Sequence, residues 1–443
     1  MEYLIYVQFL VVLFAIFIGA RVGGIGLGVF GMIGLGILVF GFGLKIGKPP
    51  VDVMLMIVAV ITAAAALQGA GGLDYLVKIA EKILRRNPAM ITIVAPIVCY
   101  IFTLFSGTGH IAYSLLPIIS EIAIESKIRP ERPLSISVIA SQQAITASPI
   151  SAATSALLTA ELLGGKGIEL SDILIIAIPA TLLGVIVGAI VMSFVGIDLE
   201  KDSRYQEFLK KQQDKKITAE VSTSEINSGA KTAVVLFLLG VLGIVVFGSV
   251  PSLRPSFVQE DGSVSVLGMA EVIEIIMMSV GGLILVFSKT DVTKVVKGSV
   301  FLAGMQAVIA IFGIAWIGDT FFQGNIDFFK TNIEHIVKEY PFLFAGALFI
   351  MSIFLFSQAA TVRTLYPLGI SLGIPPMMLV MMFPAVNGYF VIPNYPTLVA
   401  AINFDRTGTT RIGKYVLNHS FQIPGFVATI VALAVGYLLI SIL

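Results

Sequence analysis

The sequence predicts an all-α polytopic membrane protein, on three observations: its hydropathy, its shortage of charge and the spacing of its apolar runs. Of 443 residues, 57% are hydrophobic and 12% charged, and the mean hydropathy is +0.98. An ordinary soluble domain carries about 25% charged residues. A soluble fold of this length would lack the charge to cover its surface, whereas lipid-facing surface needs none. The apolar runs approach the roughly 20 residues that cross a bilayer core of about 30 Å as a helix.

The candidate segments are 3–20, 22–44, 51–72, 89–105, 107–125, 134–160, 172–195, 232–250, 271–288, 300–318, 342–356, 358–374, 377–402 and 421–443. They amount to about 10–14 membrane segments, depending on how the short ones are counted. Residues 3–20 lack a basic leader and a small-residue cleavage site, so they read as the first membrane helix and not as a removed signal. Within 22–44, Gly26 to Gly31 matches GxGxxG with Asp52 about twenty residues on, but no βαβ unit surrounds it. Gly24, Gly28 and their neighbours read instead as sites of close helix packing. Residues 73–88 place Leu73, Leu76, Val77, Ala80, Ile83 and Leu84 at helical spacing, with Asp74, Lys78, Glu81, Lys82 and Arg85 opposite. That is an amphipathic helix lying along an interface, a structural arm or a contact of a homodimer, and Glu81 and Arg85 are an i,i+4 pair. The segments 89–105 with 107–125, and 342–356 with 358–374, are too short for simple spans. Each pair reads as a re-entrant hairpin, which leaves the downstream orientation unchanged.

Orientation follows from basic residues, which favour the cytoplasmic side. Placing the N-terminus outside puts 21 of the 28 Lys and Arg residues inside, including those of 73–88, 127–132, 198–231, 289–297 and 406–414. Both termini are then periplasmic. The hydrophilic stretch 198–231 is a cytoplasmic linker dividing the chain into halves, 1–197 and 232–443. Each half holds an odd number of segments, the condition for two inverted-topology repeats. Internal echoes agree: F105-S106-G107-T108-G109 with F356-S357-Q358-A359-A360-T361, A147-S148-P149-I150-S151 with P393-N394-Y395-P396-T397, and G71-G72-L73-D74 with G318-D319-T320-F321.

Pro149 and Pro396 interrupt long apolar runs and suit the first turn of a restarted helix. Two broken helices would aim positive dipole ends at the midplane from opposite sides, a fit to a dianion with a carboxylate at each end. A proline kink is the plain alternative. Ser106, Gly107, Thr108, Gly109 and His110 form a polar, Gly-rich interruption at membrane depth, tolerated where it is buried or lines a wet cavity. Ser357, Gln358 and Thr361 are its counterpart. Thr146, Ser148 and Ser151 surround the first proline, and Asn394 and Thr397 the second. Arg363, inside a span, is either functional or snorkels to the cytoplasmic boundary.

Other classes find no support. The net charge of +1 argues against nucleic-acid binding. Cys99 has no partner for a disulfide, and His110, His335 and His419 are too scattered for a metal site. No nucleophile or zinc motif marks an enzyme.

The runs RVGGIGLG, GKPPVDV, GGLDYL, EKILRRNP, APIV, GTGH, RPERPLS, ASPISAA, AWIGDTF, SQAAT, PNYPTLVAA and FDRTGTTRIGKYVLNHSF span the chain. Together they resemble the anaerobic C4-dicarboxylate transporter (Dcu) family, and within it the DcuA type. The resemblance implies a bacterial inner-membrane carrier of fumarate, malate, aspartate and succinate, often exchanging one for another, with kinship to ion-transporter folds built from hairpins and broken helices. It also implies that Glu81, Arg85 and Arg129 occupy positions important for transport; Arg363 is not part of the family pattern. The reading is therefore a secondary transporter working by exchange, cation-coupled uptake or both. Its small dicarboxylate substrate would bind at the midplane, and its movement would be elevator-like by fold analogy. No cofactor is expected, and sodium or a proton is left open as coupling ion. A carrier of gluconate- or citrate-type anions, or an anion channel, is the alternative.

Overall fold

The computed structural model describes residues 2–213, 229–258, 264–328, 339–355, 357–392, 395–413 and 418–442. Helix α1 (Glu2–Val22) turns into α2 (Gly26–Gly36) through Gly23 (φ +74°) and Gly24 (φ +54°). Glycine adopts this left-handed geometry without steric cost. Gly24 thus makes a turn and not the helix packing expected of it; Gly28 does the packing. A Cβ on Gly28 would lie 2.1 Å from the carbonyl oxygen of Ile309, and one on Gly313 would lie 1.9 Å from that of Gly28. Helix α2 and α14 (Ser299–Gly324) therefore meet backbone to backbone. A π-helical turn, Ile37–Gly41, ends α2 and leaves 42–50 non-helical, shorter than the expected run to 44.

The first half continues with α3 (Val51–Gly69), amphipathic α4 (Gly72–Arg86), α5 (Ile91–Ser106), α6 (Ala112–Glu125), α7 (Glu131–Ala147), α8 (Ala152–Leu157) and α9 (Leu170–Ser193). Helix α10 (Ser203–Gln213) lies within the hydrophilic stretch. The second half holds α11 (Ala230–Ser249), an exposed hairpin β1 (Ser256–Val258) and β2 (Val264–Val266), α12 (Met269–Phe287), α13 (Val292–Lys297) and α14. It ends with α15 (Phe342–Leu355), α16 (Gln358–Ser371), α17 (Pro376–Met381), a 3-10 helix (Phe383–Phe390), α18 (Pro396–Phe404) and α19 (Gln422–Ile442). Among the described residues, seven helices are long and apolar enough to cross a membrane; one, Pro88–Ser106, covers the run 89–105 that was expected to be too short, because a 3-10 turn at Pro88–Met90 extends α5. Four shorter apolar helices, at Tyr3–Gly19, Gly26–Gly41, Phe342–Leu355 and Pro376–Phe390, accompany them.

Packing follows a recurring pattern. Helix α1 packs on α2 as α11 packs on α12; α2 lies against α14 as α12 lies against α3. Helix α5 packs on α7 as α15 packs on the 3-10 helix, and α6 meets α18 as α16 meets α8. Helices α9 and α19 pack on each other. One buried apolar cluster runs through α3, α12, α14 and α16, and a second through α5, α6, α7 and α18.

The charged side chains gather at two ends. At one, Arg129 pairs with Glu131 and Asp202, Lys127 with Glu200 (2.7 Å), and Arg85 with Glu81, Glu121 and Glu125. At the other, Arg254 pairs with Glu169 (2.9 Å), and Arg363 and Lys48 with Glu161 (3.1 and 3.9 Å). Arg363 thus lies at the end opposite Arg85 and Arg129. Arg363 and Lys48 share one partner, Glu161, at this end of the protein.

Candidate functional site

Three interruptions of helix build one cavity. Helix α5 ends at Gly107 (φ +70°), where a Cβ would lie 2.8 Å from the Ile150 side chain, so both conformation and space require glycine. Ser106 Oγ donates to the Thr108 carbonyl at 3.0 Å and pins this tip. Between α15 and α16 the chain breaks again, and Ser357 Oγ accepts from the Ala360 amide (3.2 Å) as the cap of α16. The third interruption separates the 3-10 helix from α18, which begins with Pro396 at its first position and Tyr395 before it, with no side-chain cap.

The cavity measures ≈ 320 Å³. Ser106, Gly107, Thr108 and Gly109 line it from the first tip, Ser357, Gln358 and Ala359 from the second, and Tyr395, Pro396 and Thr397 from the start of α18. Gln142 of α7 joins them. The facing wall is mostly apolar, with Ile57, Val60, Ile61 and Ala64 of α3 and Gly304, Gln306 and Ala307 of α14. Among the described residues, no acidic or basic side chain lines this cavity. Its polarity comes from two helix N-termini, each equivalent to about half a positive charge, and from amides and hydroxyls.

The polar wall is hydrogen-bonded in depth. Gln358 Nε2 donates to Asn387 Oδ1 (3.1 Å) and to the Tyr389 hydroxyl (2.7 Å). Asn387 donates to Gln143 Oε1 (3.3 Å), and Gln143 donates to Thr429 Oγ1 (3.0 Å) of α19. Gln142 Nε2 donates to Thr397 Oγ1 (3.0 Å), but its carbonyl oxygen is buried without a partner. An orphaned buried acceptor costs about 1–3 kcal/mol, so Gln142 is held on the cavity wall at a cost in stability. Gln142, Gln143, Asn387 and Tyr389 were missed in the sequence. The signal for the first two was present: adjacent amides, Gln142-Gln143, within a helix buried on nearly all sides.

The remaining expected residues are placed as follows. Thr146 is buried behind the wall and donates to the Gln143 carbonyl (2.7 Å). Ser148 is fully buried, accepts from the Ile150 amide (3.4 Å) and does not line the cavity. Ser151 caps α8, accepting from the Thr154 amide (3.1 Å). The break at Pro149 is therefore closed on itself: α8 has six residues, and the proline sits in the turn before it and not at its first position. Only Pro396 fits the expectation of a helix restarted on proline. Thr361 donates to the Ser357 carbonyl (2.8 Å) within α16. The backbone of His110 lies on the turn Gly109–Ile111, but its side chain, and all of Asn394, lie outside the described residues.

Glu81, Arg85 and Arg129 are not brought to the cavity. Arg85 donates to Glu81 (2.8 Å), Glu121 (2.9 Å) and Glu125 (3.2 Å), tying α4 to α6. The hydrogen bonds to Glu81 and then Glu121 raise its guanidinium above the ordinary value. Arg129 is buried between Glu131 and Asp202. Burial opposes its charge, but the two carboxylates outweigh burial and raise it. Burial likewise pushes Asp202 up, and the Arg204 amide and the Arg129 guanidinium outweigh that to hold its carboxyl low. The triad fastens the start of α7 to the loop at 198–202.

Residues 4–443 match the family described as anaerobic C4-dicarboxylate membrane transporter. The chain is similar to the C4-dicarboxylate transporter DcuA of Escherichia coli (strain K12), 45% identical over 440 residues and covering 98% of each chain. It is also similar to the anaerobic C4-dicarboxylate transporter DcuB of Escherichia coli O6:H1, 41% identical over 441 residues, 98% of this chain and 97% of that one. Among solved structures it is similar to MtrF of Neisseria gonorrhoeae, described with a class of antimetabolite efflux pumps, at 12% identity and a TM-score of 0.48 over 86% of this chain and 80% of that one. The family match runs through every apolar helix and all three walls of the cavity, and the protein is a multi-pass member of the anaerobic C4-dicarboxylate membrane transporter family, a transporter and not an enzyme.

Proposed function

We propose that this protein is a secondary carrier of C4-dicarboxylates, among them fumarate, succinate, malate and aspartate, across the bacterial inner membrane. It works by exchange, by cation-coupled uptake on a sodium or proton gradient, or by both. One observation carries the reading: two helix interruptions and the start of α18 converge on a cavity that, among the described residues, no charged side chain lines. The N-termini of α16 and α18 supply about one positive charge between them, against two negative charges on the substrate. The shortfall is offset by hydrogen-bond donors, and it cancels over a cycle that exchanges one dianion for another. A monocarboxylate engages only one of the two helix ends and loses the other.

Sidedness is supported by the ion pairs, each of which joins groups that basic-residue bias assigns to the same side. On this reading both termini are periplasmic, α5 and α6 enter from the cytoplasm and return, and α15 and α16 do so from outside. The recurring helix pairs support two inverted repeats, 1–197 and 232–443, joined by 198–231. The test is counterflow in proteoliposomes: internal succinate should drive saturable entry of labelled fumarate or aspartate, with lactate and acetate competing poorly. Equal inhibition by lactate, or flux that never saturates, would refute a two-ended carrier site.

A further inference from the structure

A second cavity, of ≈ 600 Å³, opens at the end of the protein that carries Lys48 and Glu161. It is lined by Lys45, Lys48, Glu161, Asp319, Gln323 and Arg363 among others. Arg363 is 8% exposed and is held by Glu161 Oε2 (3.1 Å) and Thr159 Oγ1 (3.4 Å). Its partner is held less firmly: the Glu161 side chain is 41% exposed, and Lys48, 83% exposed, stands 3.9 Å away. The Lys48–Glu161 pair is exposed and contributes about 0–1 kcal/mol, and a competing carboxylate that takes the place of Glu161 keeps the buried Arg363 paired while Glu161 returns to water. Arg363 lies five positions after Gln358, about 7.5 Å along α16, so one helix carries both the wall of the inner cavity and the cation of the outer one.

We infer that this vestibule is a second binding site for a small dicarboxylate dianion. Arg363 takes one carboxylate in exchange for Glu161, and Lys48 or Lys45 takes the other. Three basic side chains against the two carboxylates Glu161 and Asp319 leave the vestibule with a net positive lining that holds an anion beside the inner cavity. The inference rests on the carrier reading only for its purpose; the binding itself is testable without transport. Trp316, the single tryptophan of the chain, donates from its indole nitrogen to the carbonyl of Gly47 (2.8 Å), a residue of the vestibule wall. Its fluorescence is therefore a local reporter.

The experiment titrates the detergent-solubilised protein with succinate at constant ionic strength, with acetate as the control, and reads Trp316 emission. Succinate should give a saturable change and acetate none. Arg363→Gln should raise the midpoint at least tenfold, Lys48→Gln should raise it severalfold, and Glu161→Gln should lower it. Gln142→Leu, in the inner cavity, should leave it in place. Lys48 is exposed enough that its variant will fold, so the series does not depend on the buried arginine. A midpoint that ignores Arg363, Lys48 and Glu161, or one that moves with Gln142, overturns the vestibule site. Absent counterflow with an intact Trp316 response would instead overturn the carrier reading alone.

Discussion

Replacing Thr397 by valine removes the acceptor of Gln142 from the cavity wall while nearly preserving side-chain volume. Thr397 is 4% exposed and lines the cavity at the start of α18, where the Gln142 amide reaches it at 3.0 Å. The change frees Gln142 to rotate away and takes a hydroxyl from the site. A hydrogen bond to a charged group is worth about 1.5–3 kcal/mol, so dicarboxylate affinity should fall roughly tenfold to a hundredfold. Ser148→Val is the matched comparison. It also buries a methyl in place of a hydroxyl beside a proline, but Ser148 lies off the cavity and holds only a long contact from the Ile150 amide. It should cost stability and leave affinity nearly unchanged. Ser171→Val, in the first turn of α9, is the remote control. Succinate affinity by calorimetry in detergent, alongside thermal unfolding, separates the three. If Ser148→Val loses as much affinity as Thr397→Val, or if Thr397→Val binds normally, the assignment of the cavity to the substrate is wrong.

Three further outcomes are expected. In a Cys99→Ser background, cysteine at Lys201 should label only from the cytoplasm and cysteine at Ser252 only from outside; labelling of both from one side would remove the sidedness. Gly313→Ala should lower the unfolding temperature by several degrees, since its Cβ would meet the Gly28 carbonyl and overpacking costs about 1–3 kcal/mol; an unchanged unfolding temperature would mean that α2 and α14 do not touch there. Asp202→Asn should destabilise at neutral pH by about 1.5–3 kcal/mol, the worth of a hydrogen bond to a charged group, since Arg129 keeps Glu131 as a partner, but by much less at low pH. The Asp202 carboxyl is held below its ordinary value of 3.8, so its contribution is complete above that value and disappears as pH falls through the lower one. Unfolding curves of the two proteins that keep a constant separation as pH falls below 3.8 would argue against the Arg129–Asp202 pair.

Much of the helical frame was legible because lipid imposes it. Long apolar runs report spans, and the tips at Ser106–Gly109 and Ser357 are polar interruptions that no simple span contains. The two prolines looked alike in sequence and differ in structure for a local reason. Ser151 and Thr154 close the turn after Pro149 on themselves, whereas no side chain caps α18 after Pro396. Nor does composition separate α17 from the 3-10 helix that follows it, because residues 376–390 are almost continuously apolar. The basic residues stand apart from the cavity for a different reason. Arg85 and Arg129 carry charge in a membrane protein, which draws attention to them, but each is neutralised by its own carboxylates far from the cavity. The convergence of Gln142 with Thr397, and of Gln143 with Asn387, joins positions more than 200 residues apart. No pattern within either segment announces it.

These two neighbouring glutamines lead to opposite expectations, which tests whether the wall is built for a ligand or for packing. Gln143 is fully used: it donates to Thr429 and accepts from Asn387, so Gln143→Leu leaves the buried Thr429 hydroxyl without its donor, while Asn387 keeps the Pro384 carbonyl and Thr146 as acceptors. The cost should be about 1–3 kcal/mol for the group left unsatisfied, seen as a lower unfolding temperature, while succinate affinity changes little because Gln143 lies behind the wall. Gln142 makes one hydrogen bond and leaves its carbonyl oxygen buried and unpaired. Gln142→Leu gives up about 0.5–1.5 kcal/mol of hydrogen bond and removes a comparable desolvation penalty. The variant should unfold at or above the temperature of the unmodified protein, yet bind succinate at least tenfold more weakly. A residue that costs stability and serves binding is the signature of a functional site. If both variants lose stability in parallel and both keep their affinity, Gln142 is a packing residue and the cavity it lines is not where the dicarboxylate binds.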